Sequence, residues 1–154
     1  MNTYFGIWPI NRRVGRSNFY CDYMKAFPVE EAMILSVSRR TDIPHYYSEW
    51  FFNRLDEGFV LVPNPMNPKQ ISQIILNPEE IEFIVFWTKN PEPMFPNLEK
   101  LSPFAYYFQF TLTGYNVDVE PVLGAMKNEL IKTFVKFANQ IGPERMVWRY
   151  DPIL

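Results

Sequence analysis

Five apolar runs in this chain end in the same manner: a hydrophobic stretch gives way to polar residues, usually with a proline after them. They are ILSVSRRTDIP from Ile34, FVLVPNP from Phe59, FIVFWTKNP from Phe83, YYFQFTLTGY from Tyr106 and MVWRYDP from Met146. Short apolar runs bounded by turn residues read as buried strands, as in parallel sheets. The pattern predicts strands over 34–38, 59–62, 82–87, 105–112 and 146–150. Ligands of α/β folds meet the carboxyl ends of parallel strands. On this reading the polar endings share one mouth.

The segments between these runs have a different period. Residues 45–56 place Tyr46, Trp50, Phe51, Arg54 and Leu55 at helical spacing, with Pro44 suited to the first turn and Gly58 to the stop. The clearest helix is 127–141, where Leu130, Ile131, Phe134, Val135, Phe137 and Ala138 form an apolar stripe opposite Lys132, Lys136 and Asn139. Gly142-Pro143 ends it. Residues 71–76 fit a helical face by spacing, but their β-branched content favours an extended segment. Asn77-Pro78-Glu79-Glu80 reads as a helix cap and first turn, and a short helical turn is expected near 97–101.

Strand and crossover alternate, which implies a mostly parallel sheet with right-handed crossovers. A complete (β/α)₈ barrel takes about 250 residues, and the chain has 154. The expected fold is therefore α/β: a partial (β/α) TIM-barrel-like domain of about five mostly parallel strands with helical crossovers. A small open sheet, complete in itself, is the alternative. Residues 1–32 show no sustained period and read as an N-terminal appendage or upstream extension, with the domain proper over 33–154.

Composition narrows the function classes. A hydrophobic fraction of 47% with 21% charged residues is globular, and no apolar run approaches the roughly 20 residues that span a bilayer. The N-terminus has no continuous apolar stretch of the signal-peptide kind, so a cytoplasmic location is expected. Cys21 is the one cysteine, which leaves no internal disulfide framework and no cysteine-based metal cage. His45 is the one histidine, so there is no His-based triad, and its place in a first helical turn reads as structural. Ser36 and Ser38 lack nucleophile-elbow glycines. Trp87, Trp148, Tyr106 and Tyr107 read as core before they read as stacking platforms.

The charge distribution is more informative than the total. Arg12, Arg13, Arg16 and Lys25 against Asp22, Glu30 and Glu31 leave +1 on the first 32 residues, so 33–154 carry −3 of the net −2. Yet the strand endings hold Arg39, Arg40, Lys89 and Arg149 against Asp42 and Asp151, a local +2. A positive cleft on an acidic body suits a small anionic ligand, a phosphate or carboxylate. The competing readings are structural. Arg39 and Arg40 would form surface ion pairs, Asp42 would cap the helix after Pro44, and Asn90 would make the turn before Pro91. Arg149 and Asp151 would pair at an edge. Nucleic acid is not expected, because the balance offers no broad basic face.

As a set, SVSRRTDIP, EWFFNRLDEGFVLVPNPMNPKQIS, FIVFWTKNP, YYFQFTLTGY and IGPERMVWRYDPIL resemble the bacterial family DUF1848 from about Met33 to Leu154. The family has no assigned reaction. The resemblance implies a longer barrel domain, of which this chain would be the N-terminal half and would lack the C-terminal half. It also implies a C-terminal cysteine cluster that would hold an iron–sulfur cluster of the radical S-adenosylmethionine kind, with S-adenosylmethionine beside it. Those cysteines have no counterpart here, so no such cofactor is expected on this chain alone, and the loop after the first strand carries Arg-Arg-Thr-Asp instead of three cysteines. The functional expectations are then the substrate-binding half of an iron–sulfur enzyme, with Arg39, Arg40, Asp42, Lys89, Asn90, Arg149 and Asp151 supplying binding and charge balance, or a truncated inactive fragment, or a nucleic-acid-binding module.

Overall fold

The computed structural model describes residues 8–11, 33–38, 41–64, 67–115, 118 and 125–150. In chain order the elements are β1 (Trp8–Asn11), β2 (Met33–Val37), α1 (Ile43–Tyr46), α2 (Ser48–Glu57), β3 (Phe59–Asn64) and β4 (Asn67–Ile75). They continue with β5 (Ile81–Thr88), a 3-10 segment (Glu92–Leu101), β6 (Tyr106–Leu112), α3 (Lys127–Ile141), a short 3-10 turn (Pro143–Arg145) and β7 (Met146–Tyr150).

The main sheet has the order β1-β2-β5-β6-β7. Strands β2, β5, β6 and β7 are parallel, and β1 runs antiparallel along β2 with Trp8 opposite Ser36. The four parallel strands are neighbours in chain order. Right-handed crossovers then put every connecting element on the same face. Burial follows this arrangement. Along β6, Tyr106, Phe108, Phe110 and Leu112 are buried and Tyr107, Gln109 and Thr111 are half-buried. The buried set packs under the helices. Phe86 stacks on Phe108 at 4.6 Å, Phe51 of α2 meets Phe86 edge-on at 5.3 Å, and Phe137 of α3 meets Phe108 edge-on at 4.8 Å.

Four of the five expected strands form the parallel sheet. The fifth, expected over 59–62, does not. It is β3, which pairs antiparallel with β4 in a separate two-stranded sheet, with Val60 opposite Ile74. The physical reason is one-sided burial: Val60 and Ile74 join the core while Leu61, Ile71, Ser72 and Gln73 face water. A parallel strand needs cover on both faces, whereas a hairpin tolerates one wet face. The described residues thus form an open α/β sheet of four parallel strands and one antiparallel strand, with no closed barrel among them.

Of residues 71–76, all but Leu76 settle in the extended form within β4, and Leu76 follows its end. Asn77 makes a single turn, its Oδ1 accepting from Glu79 N at 3.1 Å, and β5 follows at once. The helix expected over 45–56 is two helices. Tyr47, at φ −137° and ψ 28°, breaks it, so that α1 lies on the strand-end loop while α2 lays Phe51 and Phe52 on the sheet. Gly58 stops α2 at φ 76°, its N–H donating to the Arg54 and Leu55 carbonyls, a left-handed cap that glycine adopts without steric cost. Helix α3 has the expected bounds, but its inward stripe is narrower: Leu130, Phe137 and Ile141 are buried while Ile131 and Val135 are exposed. The 1–32 segment contributes β1, whose Pro9 suits an edge strand.

Phe86 sits at the centre of the ring stack and is fully buried. Phe86→Ala should cost about 3–5 kcal/mol of stability, against no more than about 0.5 kcal/mol for Ile71→Ala on the wet face of β4. Urea denaturation of the two variants checks both, and equal losses would refute the assignment of the core.

Candidate functional site

Parallel strands end on the same edge of the sheet, so the carboxyl ends of β2, β5, β6 and β7 share that edge. The ends of β2 and β5 meet on that edge at Asp42. It follows β2 and is the N-cap of α1, where its Oδ1 accepts from His45 N at 3.1 Å. Its Oδ2 accepts from Lys89 N at 2.7 Å, just past the end of β5 and 47 positions away in sequence. The Thr88 side chain is a third hydrogen-bond partner of the carboxylate. One side chain therefore caps a helix and ties two strand ends together. Burial pushes the Asp42 carboxyl above its ordinary value of 3.8, and the hydrogen bonds from Lys89, Thr88 and His45, with the nearby His45 ring, oppose that push.

The tie is extended on both sides. Ser38, the residue after β2, stands at φ 85°, a left-handed conformation that costs a non-glycine residue of order 1–2 kcal/mol. Its Oγ accepts from Ile43 N at 3.0 Å, which satisfies a donor at the start of α1. Beyond β5, Thr88 Oγ1 accepts from Asn90 N at 3.0 Å, and Asn90 Oδ1 accepts from Glu92 N at 3.1 Å. Thr88 and Asn90 are both buried. These bonds fix the start of the 3-10 segment as the Asp42 bonds fix the start of α1.

The sequence-derived candidates divide in three. Asp42, Lys89 and Asn90 are brought together, but Asp42 and Asn90 spend their oxygens on backbone N–H groups, as the capping and turn readings expect. Arg149 comes to the same edge of the sheet from β7: its guanidinium lies over the Trp87 ring at 5.3 Å, reaching across β6 toward the end of β5. Arg39, Arg40 and Asp151 lie outside the described residues. Two participants were not among the candidates. Thr88 could have been found by alternation, because it continues the buried Ile84 and Phe86 face with a hydroxyl. Trp87, whose sequence context reads as core, is a half-buried ring beneath a cation.

A second feature lies elsewhere on the sheet. An open depression of about 600 Å³ is lined by Phe83, Tyr107, Gln109, Arg145 and Val147, among others, toward the beginnings of the strands. Gln109 Nε2 donates to the Tyr107 hydroxyl at 3.1 Å on its floor.

The chain's residues do not fit an iron–sulfur cluster. Clusters are held by several thiolates, and Cys21 is the one cysteine. No group of three or more His, Cys, Asp or Glu side chains converges among the described residues. No helix among them is long and apolar enough to cross a membrane.

An α/β domain with tied polar loops at the carboxyl ends of parallel strands has the framework on which such folds mount ligand sites. The family model described as Domain of unknown function (DUF1848) matches residues 34–154, and the chain belongs to that family. No curated protein and no solved structure matches it.

Two outcomes test the loop tie. Asp42→Ala removes a cap and leaves the Lys89 N–H without its acceptor, and should cost about 2–4 kcal/mol; Asp42→Asn keeps one acceptor and should cost less. Raised above 3.8 in the folded state, the carboxyl contributes stability that is fully present below the unfolded value and is lost as pH rises through the folded one. Urea midpoints from about pH 3.5 to about pH 7 should therefore move in favour of Asp42→Asn, relative to the parent, as pH rises. At Ser38, glycine relieves the backbone but forfeits the Oγ acceptor, whereas alanine forfeits the acceptor and keeps the strain. Ser38→Ala should be the less stable variant by about 1 kcal/mol, and the reverse order would mean that the left-handed conformation is not held.

Proposed function

We propose that the C-terminal edge of the parallel strands binds a small anionic ligand, a phosphate or carboxylate, and that the chain is the substrate-binding portion of an α/β enzyme. The observation that carries this reading is the Arg149 guanidinium reaching across β6 toward the end of β5, which Lys89 follows directly in a segment tied by Asp42. Held loops keep cations in place before a ligand arrives, which lowers the cost of ordering them on binding. The Trp87 ring beneath Arg149 does the same for a guanidinium, whose planar fork matches a phosphate or carboxylate. Arg39 and Arg40, which stand between Ser38 and Asp42 in the sequence, would add to the same charge.

The sheet is read in this proposal as a stretch of barrel wall. Four parallel strands adjacent in chain order, with the helices on one face, have the arrangement of successive (β/α) units. The iron–sulfur and S-adenosylmethionine chemistry that the family resemblance implies finds no ligand set in this chain. The reading therefore assigns it binding and charge balance, and no redox step.

Calorimetric titration of the full chain with inorganic phosphate at low salt is the direct test. Arg149→Ala and Lys89→Ala should each weaken binding by about tenfold or more, the worth of one charge-assisted hydrogen bond, with unfolding midpoints little changed. An affinity unaltered in the double variant would sink the proposal.

A further inference from the structure

The face of the parallel sheet away from the helices is graded along the strands. At its C-terminal level Thr111 pairs with Arg149. One level back, Trp87 pairs with Gln109, which pairs with Val147. Behind these, Tyr107 and Phe83 form a tilted ring pair at 5.4 Å on the floor of the 600 Å³ depression. The depression and the cationic edge are thus the two ends of one surface, joined through Gln109. From Tyr107 to Thr111 the strand advances four residues, about 13 Å at the usual rise.

The chemistry of the two ends differs. The C-terminal end offers Arg149 and, just past β5, Lys89. The other end offers the Tyr107 and Phe83 rings, with the Tyr107 hydroxyl held by Gln109, and is also lined by Glu144 and Arg145. The floor is a flat sheet face open on one side, and Val147 on it is exposed. A flexible aliphatic chain laid there would keep much of its surface in water. A rigid planar ring loses one whole face to the floor and little conformational freedom, which favours a π-system on aromatic side chains.

We propose that the anion site and the depression form one elongated site, and that its ligand is an anionic group joined through a spacer to a planar aromatic body. This rests on the anion-binding reading above and adds the second half of the ligand. A free phosphate cannot span the distance; a phosphate carried by a nucleoside can. Gln109 and Tyr107 would meet the aromatic body with hydrogen-bonding groups already oriented, and Arg149 and Lys89 would meet the charge.

The full chain is titrated with inorganic phosphate, guanosine, guanosine monophosphate and, for the carboxylate version, acetate against an indole alkanoate. At least one joined anion should bind ten or more times more tightly than its simple parent. That advantage should vanish in Tyr107→Leu and in Val147→Asn, the second being a neutral change at an exposed position that the fold should tolerate. Phosphate affinity should be the same in both variants as in the parent. Phosphate binding with no gain from either joined anion would overturn the elongated site and leave the anion site standing. Guanosine binding as tightly as its monophosphate would overturn it as well, since the two ends would not be coupled. A gain that survives in both variants would overturn the placement. Absence of binding by every anion would remove this proposal and the anion reading together.

Discussion

The architecture turns on a single carboxylate that makes two parallel strand ends act as one piece. Parallel strands have no tight turn between them; each must leave the sheet, cross its face and return. Their ends are therefore joined by side chains or not at all. Asp42 supplies the join here by holding the first turn of α1 and the backbone after β5 at once. Removing that group would release the first turn of α1 and the backbone after β5 in one event. The carboxylate retains this place although burial disfavours its charge, because three hydrogen-bond donors converge on it. A buried charge is tolerated where its lone pairs are met.

The second constraint is the ring stack behind the tie. Phe51, Phe86, Phe108 and Phe137 interlock α2, β5, β6 and α3, so the strand that ends at Lys89 and its neighbour β6 are set by large, fully buried side chains. The site is polar, but its precision is apolar in origin. The same one-sided packing leaves the opposite face of the sheet half-buried, which is why aromatic and polar side chains alternate there with the core.

Local signals were legible where a single element carried its own start and stop. The stripe of α3 and the Gly142-Pro143 break mark it out completely, and β7 follows with the expected bounds. Gly58 ends α2 for a reason written into its own residue type. Features that depend on what a segment packs against were not legible. FVLVPNP has the composition of a buried parallel strand, and only the wet side of Leu61 and Gln73 reveals a hairpin. β1 is four residues long and carries a proline, too little for a period to show. The break at Tyr47 has no glycine or proline to announce it. At the site, the cap made by Asp42 could be read from the neighbouring Pro44 and His45, but its bond to Lys89 could not, because nothing local links positions so far apart in the chain. Arg149 over Trp87 likewise required the strand order, since β6 stands between them.

That last contact gives the protein an optical signature of its own edge. An indole with a guanidinium against its face emits according to where that charge sits. Any event that draws Arg149 off the ring, or presses it closer, changes the surroundings of Trp87 before it changes the backbone. The position of Arg149 is therefore written into the Trp87 share of the intrinsic fluorescence, beside the contributions of Trp8, Trp50 and Trp148.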